Sequence, residues 1–154
     1  MAQEVWERAG YTISTDPARL DISVIHNFIS NESYWGQGRS TELMRRAIDN
    51  SMPFGLYKGE RQIGFARLVT DRTTFAWLAD VFVLDEFRGQ GLGKWLVETI
   101  LSHTELQGLR RWILATRDAH GLYRQFGFDE LARPQMYMER RRESAEPSPD
   151  APLA

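Results

Sequence analysis

From residue 18 to residue 29 the apolar side chains Leu20, Ile22, Val24, Ile25, Phe28 and Ile29 recur mostly at helical spacing, and the run stops at Ser30-Asn31. This predicts an amphipathic helix started by Thr15-Asp16-Pro17, with proline near the first turn. A second helix is expected over Leu43, Met44 and Ile48, capped by Ser40 or Thr41. Downstream the period shortens to that of strands. Residues 54–58 and 62–70 flank Gly59-Glu60 as a hairpin, and Asp71-Arg72-Thr73 turns the chain into residues 74–83, an aromatic and β-branched run that reads as a buried central strand. Residues 11–14 form a short first strand in the same reading. Leu92, Trp95, Leu96, Ile100 and Leu101 then share one face of a helix over residues 92–106, ended at Gly108. Residues 111–115 read as a strand, 118–126 as a short helix closed by Gly127, and 135–139 as a last strand.

This order implies one α/β (α+β) domain, with a mixed central β-sheet of about six or seven strands flanked by about four helices. Composition agrees: 154 residues, 42% hydrophobic and 26% charged, make a soluble globular chain. The domain is expected over residues 1–139. Residues 140–154 hold arginines, then Glu, Ser and prolines with almost nothing apolar, and read as a disordered tail. A net charge of −2 gives nucleic acid no attractive field. The absence of cysteine excludes disulfides, thiolate metal sites and an acyl-cysteine intermediate. No spacing of His and carboxylates points to a metal. The sequence shows neither a signal-peptide pattern nor an apolar run of roughly 18 residues, so a cytoplasmic protein without a membrane span is expected.

The most informative stretch is Arg88-Gly89-Gln90-Gly91-Leu92-Gly93-Lys94, between the central strand and a helix. Glycines at alternate positions let an anion approach backbone N–H groups at the positive end of a helix, and Arg88 and Lys94 bracket them with charge. A tight turn alone rarely needs so many. The dinucleotide fingerprint would require glycine where Lys94 stands, and the triphosphate loop would require glycine at Arg88 and a hydroxyl residue at Trp95.

The remaining pattern resembles the GNAT superfamily of acyl-CoA-dependent N-acyltransferases, whose signature is Gln or Arg, two residues, Gly, one residue, then Gly or Ala. Arg88, Gly91 and Gly93 match it. Upstream, the run from Asp80 to Phe87 is similar to the family's apolar strand, and downstream Leu122-Tyr123-Arg124-Gln125-Phe126-Gly127-Phe128 resembles its tyrosine-bearing helix ending in Gly-Phe. The resemblance implies acetyl-CoA as cosubstrate. The backbone from Gly89 through Gln90, Gly91, Leu92 and Gly93 to Lys94 would hold its pyrophosphate, and Val81, Phe82 and Val83 would hydrogen-bond the pantetheine arm like an added strand. It also implies an amine acceptor and allows a homodimer.

Acetyl transfer to an amine needs a proton acceptor, an oxyanion donor and a proton source for the departing thiolate. By resemblance, a backbone N–H near Val81 serves the oxyanion and Tyr123 the sulfur; the plainer alternative for Tyr123 is a core tyrosine with its hydroxyl on backbone. Many relatives carry a glutamate where this chain has Ala79. Asp80 is the nearest carboxylate on the strand and one candidate base, unless strand alternation turns it to a structural partner. His120, three residues before Tyr123 on the same helix face, is the other; lone helix histidines are usually just solvated. By fold analogy the acceptor would be bounded by Tyr34 and Trp35 in a glycine-bearing loop and by Phe54, Arg67, Asp71 and Trp77 of the meander. A small-molecule amine leads; a protein or peptide amine, or a CoA-binding module without turnover, remain alternatives.

Overall fold

The computed structural model describes residues 3–142. Of the tail read from the sequence, residues 143–154 lie outside the described residues. One mixed sheet runs in chain order: β1 (Val5–Arg8), β2 (Tyr11–Ser14), β3 (Met52–Lys58), β4 (Arg61–Thr70), β5 (Phe75–Val83) and β6 (Arg111–Leu114). All neighbours are antiparallel except β5 and β6, which are parallel and linked through a helix. Among the described residues four α-helices accompany it: α1 (Ile22–Asn27), α2 (Thr41–Asp49), α3 (Leu92–Ser102) and α4 (His120–Arg124). This is the expected α/β class with a mixed sheet.

Helix starts follow local chemistry. The Asp21 carboxylate accepts from the Ser23 and Val24 N–H groups and starts α1, so Asp16-Pro17 starts only a separate 3₁₀ turn. Ser40 caps α2 by accepting from Leu43 N–H. The helix over residues 92–106 stops earlier than its apolar pattern, at Ser102, because His103 turns extended and its ring accepts from Glu105 N–H to cap another 3₁₀ turn. The strand expected over residues 135–139 is corrected: Pro134–Met136 is a 3₁₀ turn, and no strand forms there. A strand the pattern did not predict, β1, pairs with β2 across Ala9-Gly10, both at positive φ.

Two apolar clusters cover the sheet. Ile25, Phe28, Ile29, Met44 and Ile48 of α1, α2 and the turn between them pack with Phe65 and Phe82. Leu92, Trp95, Leu96, Val97 and Ile100 of α3, with Tyr123 of α4, pack with Phe54, Leu56, Ile63, Leu78 and Val83. Complete burial of each such side chain contributes about 1.5–3 kcal/mol. No helix among the described residues is long and apolar enough to cross a membrane.

Candidate active site

The β5–β6 pairing runs from Phe75↔Arg111 to Leu78↔Leu114 and ends there, while β5 continues to Val83. Past Leu78 the β6-facing edge of β5 therefore has no strand beside it. Two cavities open in this gap and adjoin, both lined by Val81, Phe82, Arg88, Ala119 and Tyr123.

The first, about 320 Å³, is floored by the glycine loop: Gly89, Gly91, Leu92 and Gly93 line it with Val81, Phe82 and Val83. Gly89 at φ +81 and Gly91 at φ +76 hold the left-handed region that a Cβ disfavours, and Gly91 is the N-cap of α3. The space over both is open, since a Cβ at either would meet nothing within 4 Å. Unpaired N–H groups at the α3 N-terminus thus face a cavity, as anion binding requires. Arg88 Nε donates to Val83 O at 3.1 Å and its guanidinium pairs with Asp85 at 2.8 Å. Gln90 accepts from the Tyr11 hydroxyl at 2.8 Å, and Lys94 is exposed; neither side chain lines the cavity.

The second cavity, about 400 Å³, is lined mainly by three separate stretches, the turn after α1 with Phe28, Glu32, Ser33, Tyr34 and Trp35, β5 from Leu78 to Phe82, and residues 114–119 from the end of β6, together with Arg88 and Tyr123. A π-helical turn, Phe28–Glu32, presents the first stretch, as such turns often do at functional sites. Phe28 stacks on Phe82 with centroids 4.1 Å apart. Gly36 is required next, because a Cβ there would stand 2.3 Å from Ile29 Cγ2. Tyr34 joins the first stretch to the third: its hydroxyl accepts from Arg117 N–H at 2.8 Å, and the Arg117 guanidinium lies 3.8 Å from its ring centre.

Tyr123 is buried where the cavities meet. Burial, with a smaller contribution from Tyr34 and Asp118, pushes its phenol up to about 12. Asp80 lines the second cavity but is nearly enclosed: Oδ2 accepts from Arg67 Nε at 2.8 Å and Arg39 Nη1 at 2.9 Å, and Oδ1 accepts from Trp35 Nε1 at 2.9 Å. Arg67, expected on the acceptor wall, instead reaches this cavity through Asp80.

Other expected residues stand elsewhere. His120 is exposed at the start of α4 and lines an adjoining cavity, which shares Leu114, Ala115, Thr116 and Tyr123 with the second. Phe54 is fully buried in the core, stacked with Trp6. Trp77 is half-buried on β5, opposite Val69 and Ile113. Asp71 closes the β4–β5 turn, where the Thr74 hydroxyl and the N–H groups of Thr74 and Thr73 hold its carboxyl well below the usual range. The structure brings Tyr34, Trp35, Asp80 and Tyr123 together and leaves Phe54, Asp71, Trp77 and His120 out of that cavity. Residues not anticipated are Phe28, Glu32, Arg39, Thr116, Arg117 and Asp118; only Arg39 had a signal, a cation in the same glycine-bearing loop as Trp35. Among the described residues no group of three or more His, Cys, Asp or Glu side chains is arranged to hold a metal.

Comparison with known proteins meets this geometry. The model of the acetyltransferase (GNAT) domain matches residues 49–130. A provisionally named acetyltransferase of Gibberella zeae is 32% identical over 140 residues, covering 77% of this chain and 78% of its own. A GNAT-family protein of Xanthomonas campestris pv. campestris, 47% identical, shares the fold at a TM-score of 0.83 over 85% of this chain and 92% of that one. A GNAT acetyltransferase of Elizabethkingia anophelis with acetyl-CoA bound has a TM-score of 0.61 at 16% identity, over 79% of this chain and 78% of its own.

Proposed function

This chain belongs to the GNAT acetyltransferase family, and from that premise we propose that it moves the acetyl group of acetyl-CoA to the primary amine of a small molecule by direct attack on the thioester. The observation that carries the small-molecule reading is the Tyr34–Arg117 bridge between two stretches that line the second cavity. A protein segment would need an open groove, whereas a bridged cavity of about 400 Å³ is the size of a small ligand's site.

The glycine cavity fits the cosubstrate: a pyrophosphate suits the open α3 N-terminus, and an extended amide arm suits the free edge of β5. When bound, acetyl-CoA supplies an activated acyl carbon. Residues of this chain do the rest. Glu32 and Asp118, both exposed on the acceptor cavity, attract an ammonium, which attacks once it has released a proton to water. Phe28, Tyr34 and Trp35 pack against its carbon body. As the C–N bond forms and the C–S bond breaks, the Tyr123 hydroxyl donates toward sulfur, a role suited to a phenol that stays protonated at neutral pH. An acyl-enzyme on cysteine is excluded, because the chain has none.

The test is acetyl-CoA binding by calorimetry, followed by thiol release with pooled amines. Binding with amine-dependent release supports the reading and identifies the acceptor class. Binding without release from any amine favours a regulatory module, acetylation of a peptide alone favours a protein acceptor, and no binding removes the proposal.

A further inference from the structure

Asp80 combines features that are costly separately. Its φ is +54, in the left-handed region that side chains disfavour and Asp enters less readily than Gly. The strand register jumps there from Arg67↔Ala79 to Phe65↔Phe82, so Asp80 and Val81 together stand opposite Ala66: a β-bulge. Glycine would take this turn freely, yet the position holds a carboxylate only 4% exposed. Three donors compensate its burial, two of them cationic, and Arg67 Nη1 extends the network to Ser51 Oγ at 3.2 Å. The donors come from β4 and from the loop between α1 and α2, so one carboxylate ties the bulge to both.

We propose that Asp80 is a positioning residue and not the proton acceptor: clamped by Arg67, Arg39 and Trp35, it fixes the left-handed bulge of β5, sets Val81 where the two cavities meet, and anchors the aromatic wall of the acceptor cavity. A base must turn a lone pair to its substrate and then hold a proton. Protonating this carboxyl would instead leave two guanidinium groups without their counter-charge inside the protein. Tyr34 shares in the anchoring, because its ring meets the Trp35 ring edge-on at 5.1 Å. Backbone strain held in place by surrounding contacts is a recurrent property of reacting centres. What Val81 is positioned for, the thioester, rests on the acetyltransferase reading above.

Two variants test this, followed by the ¹⁵N resonances of the Val81 amide and the Trp35 indole during acetyl-CoA titration and by pH profiles of kcat. Asp80→Asn tolerates the left-handed turn but removes the charge. Trp35→Phe, which keeps a ring and deletes one donor, guards against a misfolded Asp80→Asn. In Asp80→Asn both resonances should shift, kcat should fall roughly 100-fold while the KM for acetyl-CoA stays nearly constant, and the acidic limb of the pH profile should remain. In Trp35→Phe the Val81 amide should shift in the same direction, with a loss of about tenfold. The proposal is overturned if Asp80→Asn removes the acidic limb, or if the Val81 amide and its response to acetyl-CoA match wild type in both variants. Failure of wild type to acetylate any amine would count against the function alone, because the resonances still decide whether Asp80 holds the bulge.

Discussion

The two cavities that meet at Tyr123 are built by opposite means. The proposed cofactor side combines β5 residues 81–83, the loop from Phe87 to Gly93 and the α4 region at Ala119, Leu122 and Tyr123, and Gly89 and Gly91 leave open space beside their backbone. The acceptor side is assembled from side chains of three stretches far apart in sequence, held by ion pairs and ring contacts. Backbone recognition tolerates changes of side chain and is set by local conformation. Recognition by side chains depends on the whole fold, so one substitution there reaches further. In the proposed reaction the two constructions meet at Tyr123.

Substitutions should divide along that line. The largest effect is expected from Arg67→Met, which leaves Asp80 with Arg39 as its only cation; urea unfolding should show a loss of about 3 kcal/mol, and a loss near zero would remove the clamp from the account. Next, Tyr123→Phe should lower kcat about 100-fold without weakening acetyl-CoA in calorimetry. Unchanged turnover would make this tyrosine a core residue. Because its phenol titrates near 12, as does the buried Tyr57, both bind protons in the folded chain that the unfolded chain has released above about pH 10. Their contribution to stability is complete below about pH 10 and is lost as pH rises toward 12, which alkaline unfolding checks. Gly91→Val, forced against φ +76, should weaken acetyl-CoA about tenfold and leave the amine KM alone. The smallest effect belongs to Tyr34→Phe: one hydrogen bond between two stretches of the acceptor cavity is lost, and the amine KM should rise about fivefold with acetyl-CoA unaffected. A reversed pattern in these last two would dissolve the distinction between the cavities.

The sequence disclosed these regions unequally for the same reason. Residues 74–83 and the glycine loop carry their structure locally, in β-branched runs and in glycines that the turns require. β1 escaped because its hairpin turns on Ala9-Gly10, with alanine at φ +51, rather than on Asn-Gly or Asp-Gly. Met136 and Met138 are strand-like in pattern, but Pro134 folds the chain into a turn and both remain exposed. The partners of Asp80 were hidden by the bulge, which shifts β5 against β4 by a residue that alternation cannot count. Phe54 is aromatic for core packing, and aromatic content does not distinguish a pocket from a core. Arg117 could not be linked to Tyr34 without the fold, 83 positions away.

The early end of the β5–β6 ladder has a bearing on the life of the protein in a cell. In the proposed function acetyl-CoA completes the sheet left unfinished beyond Leu78, and whatever binds only the folded chain adds to its stability, by about 2.7 kcal/mol at a hundredfold excess over Kd. Protease digestion with and without acetyl-CoA would measure that protection. Large protection would link the abundance of this protein to the supply of acetyl-CoA, with scarcity thinning the protein itself.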